Sequence, residues 1–160
     1  MAIVLITGMS GTGKTTVLEE LARRGHRTVE TDEPGWIEEV WQGGTLERLW
    51  IPEKITALLD SHSAGHLFIQ GTVPNQGVFY PRFDAIVLLG APLETMLERI
   101  ATRTNNPFGK SAEERYRIVQ DRAEIEPILR ARATHQINTG HLSIRQVADC
   151  LEKIARDAET

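Results

Sequence analysis

A chain of 160 residues, 41% hydrophobic and 25% charged, has the make-up of one globular domain with a buried core. Its net charge of −4, from 18 basic and 22 acidic side chains, argues against a dedicated nucleic-acid binder. The single cysteine, Cys150, excludes an intramolecular disulfide, and no apolar run is long enough for a transmembrane helix. The apolar AIVLI near the N-terminus stops at Thr7, too short for a signal peptide. A cytoplasmic protein with no membrane partner is therefore expected.

In chain order, Ala2–Thr7 is a continuous apolar run that fits a strand buried on both faces. A glycine-rich turn leads into a predicted helix over 14–25, with Val17, Leu18 and Leu21 as its stripe and Gly25 as its stop. A second strand is expected over 26–31. Residues 33–44 (EPGWIEEVWQGG) suggest a short helix with Pro34 in its first turn and Gly43 and Gly44 ending it. Residues 45–62 are helical in pattern, with a break at Pro52. A third strand follows over 66–71, then a loop over 71–83 rich in Gly, Pro and Asn, then a fourth strand over 84–90. The helix predicted over 92–103 carries Leu93, Met96, Leu97 and Ile100 on one face. TNNPFGKS interrupts it, a long helix over 111–132 is expected to break near Pro127, and HQINT is a fifth strand. A last helix, over 143–158, has Ile144, Val147, Leu151, Ile154 and Ala158 in register.

Strands alternating with helices call for an open, mostly parallel α/β sheet of about five strands with helices on both faces. Ligands bind such sheets beyond the carboxyl ends of the strands. Those ends carry Gly8, Asp32, Gln70 with Gly71, Gly90, and Asn138 with Thr139.

Residues 8–15, GMSGTGKT, match the phosphate-loop pattern GxxxxGK[ST] and stand between a strand and a helix, as the pattern requires. Gly8, Ser10, Gly11, Thr12 and Gly13 are expected to wrap the phosphates of ATP with backbone N–H groups, aided by the helix N-terminus. Lys14 brings charge to the β and γ phosphates, the Thr15 hydroxyl suits Mg²⁺, Thr16 follows in the first turn, and Asn138 and Thr139 complete the nucleotide set. Motor and switch ATPases end a further strand in an acid, yet strands three and four end LFIQG and IVLLG. The guanine-reading Asn-Lys-x-Asp is absent. The acids at a strand tip are Glu30, Asp32 and Glu33.

With these features the chain resembles the small P-loop kinases, shikimate kinase most closely and the nucleoside monophosphate kinases next. The resemblance implies a single three-layer domain over 1–160 with a short lid at about 104–111. It matches Glu30-Thr31-Asp32 to an Asp-x-Asp element whose first acid lies by the metal and whose second lies by the substrate hydroxyl. In an alternative register Asp32 takes the first place, so Asp32 stands for either metal or acceptor. Arg122 matches an arginine that binds the substrate's acid group. Two features depart from the family: Gln70-Gly71 replaces its glycine pair, and the lid, RTNNPFGKS, is shorter.

Other residues have two readings. Asp32, before Glu33-Pro34, is a helix N-cap or a base for an acceptor hydroxyl. Arg99 and Arg103 flank the lid, where transfer needs positive charge, or form a solvated face with Arg115 and Arg117; Lys110 is a weaker lid candidate. Asn75, Gln76 and Arg82, with Gly71, are candidate substrate contacts on a long loop. Trp36, Trp41 and Trp50 line an acceptor pocket or fill a small core. The histidines at 26, 62, 66, 135 and 141 lack metal-ligand spacing. The expected activity is transfer of the ATP γ-phosphoryl group to a small hydroxylated metabolite. A nucleoside or nucleotide kinase is one alternative, and a nucleotide-dependent switch acting through a partner is another. The sequence names neither the acceptor nor the oligomeric state.

Overall fold

In the computed structural model, which describes residues 1–103 and 110–159, the first strand, β1 (Ala2–Thr7), is buried along its whole length. Of the predicted lid, only Lys110 and Ser111 fall among the described residues. The elements that follow are α1 (Lys14–Arg23), β2 (Arg27–Glu30), β3 (Ile37–Gln42), β4 (Thr45–Trp50), α2 (Pro52–Ser61) and β5 (His66–Gln70). A 3-10 helix (Gln76–Arg82), β6 (Ala85–Gly90), α3 (Leu93–Thr102), α4 (Ala112–Arg132), β7 (His135–Asn138) and α5 (Ile144–Ala158) complete the chain.

Five strands form one sheet in the order β2-β5-β1-β6-β7, every neighbouring pair parallel. The period of two along β1 divides the core. Val4 and Ile6 face α1 and α5, meeting Leu18, Leu21, Val147 and Leu151. Ile3 and Leu5 face the other side, meeting Trp50 of β4, Ile55 of α2, Phe79 of the 3-10 helix and Phe83 just after it. The predicted three-layer α/β arrangement is thus present. Arg24, just past α1, binds α5 through Asp149 (2.8 Å) and Glu152 (2.6 Å) while also holding Glu20 (3.0 Å). His26 Nε2 adds a contact to Glu152 at 2.6 Å.

Four expectations need correction. Residues 33–44 do not form a helix: β3 and β4 are an antiparallel hairpin, paired from Ile37↔Trp50 to Gln42↔Thr45. Gly43 and Gly44 sit at φ of 58° and 82°, the left-handed pair that a two-residue hairpin turn needs, rather than at a helix end. Pro52 starts α2 at its first turn instead of breaking a longer helix, because that position has no intrahelical N–H bond to lose. Pro127 lies inside α4 without ending it. Part of the expected 71–83 loop is the 3-10 helix. No helix among the described residues is long and apolar enough to cross a membrane.

Candidate functional site

The strand tips frame a cleft of about 490 Å³ along the carboxyl edge of the sheet. From one end to the other it passes Asp32 after β2, Gln70 at the end of β5, residues 10–17 after β1, Thr139 after β7, and the start of α5. The loop after β1 is pressed into place. A Cβ on Gly8 would stand 2.4 Å from the Leu89 carbonyl oxygen, so only glycine fits there. Thr12 Oγ1 donates to the Met9 carbonyl at 2.8 Å. Arg99 donates to the carbonyls of Gly11 (3.3 Å) and Thr139 (2.8 Å), and Thr139 Oγ1 donates to the Thr12 carbonyl (2.9 Å). Gly13 gives α1 no side-chain cap, which leaves the first-turn N–H groups to whatever anion enters.

Lys14 is half-buried, and its ammonium donates to the Gly8 and Met9 carbonyls. Desolvation lowers its pKa to about 8, against the opposing pull of the Asp32 charge. Thr15 Oγ1 donates to Glu30 Oε1 at 2.8 Å. Gln70 Nε2 donates to Asp32 Oδ2 at 3.4 Å. A hydroxyl and two carboxylates offer oxygen only, which suits Mg²⁺. The described residues hold no group of three His, Cys, Asp or Glu able to cage a metal, so such an ion would keep water and phosphate oxygens as its other ligands.

The predicted residues divide cleanly. Ser10, Gly11, Thr12, Gly13, Lys14, Thr15, Thr16, Asp32, Arg99, Arg103 and Thr139 all line the cleft, with Gly8 beneath it. The remaining candidates lie elsewhere. Asn138 accepts from the Gly140 N–H at 2.9 Å and, with Arg122, borders a separate cavity by β6 and β7. Arg122 meets the Ala91 carbonyl (3.4 Å) and Glu126 (3.3 Å). Arg82 pairs with Asp60 at 2.7 Å. Asn75 brackets the Trp50 main chain, accepting from its N–H and donating to its carbonyl. Buried Gln76 holds Val73, Thr7 and Tyr80. Gly71 makes room for Thr31 and Trp50, since a Cβ there would lie 2.5 Å from Thr31 Oγ1. Of the tryptophans, Trp50 is buried, and its Nε1 donates to Thr31 at 2.8 Å, as the core-filling reading requires.

Sequence reasoning placed Gln70 at a strand end facing the site without giving it a role, and left out the Leu142-Ser143-Ile144 wall. Glu30 entered it as one of the acids at the tip of the second strand and through the matched Asp-x-Asp element. Ser143 carried a signal, for it and Gln146 form the capping box that starts α5 beside the last strand tip.

Over residues 4–121 the chain matches the AAA domain family. A nucleotide-binding protein of Delftia acidovorans is 31% identical across 96% of this chain and 52% of its own length. A second nucleotide-binding protein, from Pseudomonas fluorescens, is 23% identical across 95% and 54%. The chain spans about half the length of these curated relatives. A shikimate kinase from Acinetobacter baumannii, solved in complex with shikimate, superposes with a TM-score of 0.66 at 20% identity, covering 99% of this chain and 95% of that one. A shikimate kinase from Bacteroides thetaiotaomicron gives 0.64 at 17%, covering 99% of both. The likeness to these two is one of fold, the P-loop kinase fold.

Proposed function

Because the chain belongs to the AAA domain family and carries its phosphate loop in a P-loop kinase fold, we propose that it is an ATP-dependent phosphotransferase acting on a small hydroxylated molecule. One observation carries this reading. Lys14 and Asp32 line the same cleft from the tips of β1 and β2, with β5 between them, so a cationic phosphate grip and an acceptor-side carboxylate meet across one space. ATP would lie with its phosphates in the loop and its base toward Leu142 and Ile144. Mg²⁺, held beside Thr15 and Glu30, would supply charge neutralisation on the β and γ phosphates.

The step transfers the γ-phosphoryl group to the acceptor oxygen. The bond between phosphorus and the β–γ bridging oxygen breaks, its electron pair leaves with ADP, and the new P–O bond forms. Asp32 orients the hydroxyl and takes its proton. Lys14 and Arg103 face the charge that spreads over the moving group. Among the described residues, no acid follows β5 or β6 at the cleft to hold a lytic water. The reading extends to a single domain over 1–160, acting in the cytoplasm without nucleic acid.

The test is ADP formation from MgATP by the isolated protein, with and without hydroxylated metabolites. A correct acceptor should raise it by orders of magnitude over water. Lys14→Ala should abolish transfer, and Asp32→Asn should cut kcat by about 100-fold or more while leaving ATP affinity within a few-fold. Brisk hydrolysis that ignores every small acceptor would instead establish a switch acting through a partner, a reading the AAA domain match keeps in view.

A further inference from the structure

Gln70 ends β5 where the cleft passes from the phosphate loop to Asp32. It stands where the resembled kinases have a glycine. Its side chain is 1% exposed, and its Nε2 donates to Asp32 Oδ2 at 3.4 Å. A carboxylate only accepts, so this contact settles which end of the amide is which: nitrogen toward Asp32, oxygen away from it. Oε1 has no hydrogen-bond partner. A buried amide oxygen left unpaired beside a ligand cleft is costly, and a donor on the incoming ligand removes that cost.

The charges around this end of the cleft point the same way. The tip of β2 brings two carboxylates here, Asp32 on the cleft itself and Glu30 on the Thr15 hydroxyl. Three cationic groups line the cleft, Lys14, Arg99 and Arg103, of which Lys14 and Arg99 hold carbonyls of the phosphate loop, and Arg82 and Arg122 lie elsewhere. A carboxylate or phosphate on an acceptor held by Asp32 would meet like charge there.

We infer that Gln70 selects the acceptor: its amide nitrogen positions Asp32, and its unpaired oxygen accepts a hydrogen bond from a second donor on an uncharged or cationic polyol or amino-polyol. This inference rests on the phosphotransfer reading and replaces the acid-binding role expected for Arg122.

The experiment measures ADP release from MgATP with two matched triads. The first is sorbitol, glucamine and gluconate; the second is glycerol, 2-amino-1,3-propanediol and glycerate. The neutral or cationic member of a triad should stimulate release and the anionic member should not. Gln70→Leu should raise the acceptor KM by at least about 10-fold, with a smaller change in kcat and with affinity for a non-hydrolysable ATP analogue held within about twofold. Gln70→Glu keeps the shape and should shift preference toward the cationic member; it carries the comparison if the Leu variant does not fold. Preference for gluconate or glycerate, or an unchanged acceptor KM in a folded Gln70 variant, overturns the inference and leaves phosphotransfer standing. If none of the six raises ADP release above the water rate, the phosphotransfer reading fails and the inference with it.

Discussion

Lys14 illustrates how a single side chain can serve binding at the expense of the empty fold. Its pKa falls from 10.5 to about 8 because burial disfavours the ammonium. Between those two values the unfolded chain holds more proton than the folded one, so nucleotide-free stability rises with pH across that window. Below it, the full penalty is present. Lys14→Met should therefore be more stable than wild type at pH 7 without nucleotide, and urea midpoints should converge as pH climbs past 8 toward 10.5. Arg99 and Arg103, indistinguishable in the sequence, both line the cleft. Arg99 braces the loop through Gly11 and Thr139. Arg99→Ala should weaken ATP binding and lower Tm together, whereas Arg103→Ala should act mainly on kcat. Equal, purely kinetic losses in both would show that the brace is not needed. The phosphate loop was legible because its residues are contiguous and their spacing is fixed by phosphate geometry. Asn75, Gln76 and Arg82 were not, because a polar side chain on a loop reads alike whether its partner is a substrate or the chain itself.

Among the elements, the β3–β4 hairpin was the part the sequence concealed. IEEVW places apolar residues three and four apart, which imitates a helix, and the paired glycines read equally well as a helix stop. What decides the matter is tertiary: Trp50, fully buried, packs against Phe79 and Phe83 and pins the returning strand to the core. Asn75 holds that same residue's main chain from the opposite segment. Asn75→Ala removes both bonds and should cost about 1–2 kcal/mol in chemical unfolding, with ATP affinity unchanged. A loss of nucleotide affinity without a loss of stability would return Asn75 to the ligand site. The buried strands β1, β5 and β6 were plain from their unbroken apolar runs, since a strand covered on both faces has no polar alternation to confuse it.

At the scale of the molecule, the sheet order explains the location of the cleft. The chain steps from β1 past β5 to β2, and later crosses to β6 and β7 on the other side, so the loop after β1 stands where the winding reverses. A ligand seated there touches elements from both halves of the sheet. An ATP analogue with Mg²⁺ at about 100 times its Kd should stabilise the fold by about 2.7 kcal/mol, and the Lys14→Met variant should show far less at the same concentration. Alternation of strands and helices made this architecture readable, whereas the neighbours of each tip depended on strand order, which no local pattern encodes. The contacts of Arg24 and His26 with Asp149 and Glu152 add a mechanical consequence. Helices α1 and α5 both start at the cleft, one directly after the phosphate loop and the other beside Leu142 and Ile144, and they are joined farther along their length. On the proposed nucleotide pose, the pair would act as a calliper with its jaws at a set width, gauging the span from terminal phosphate to base.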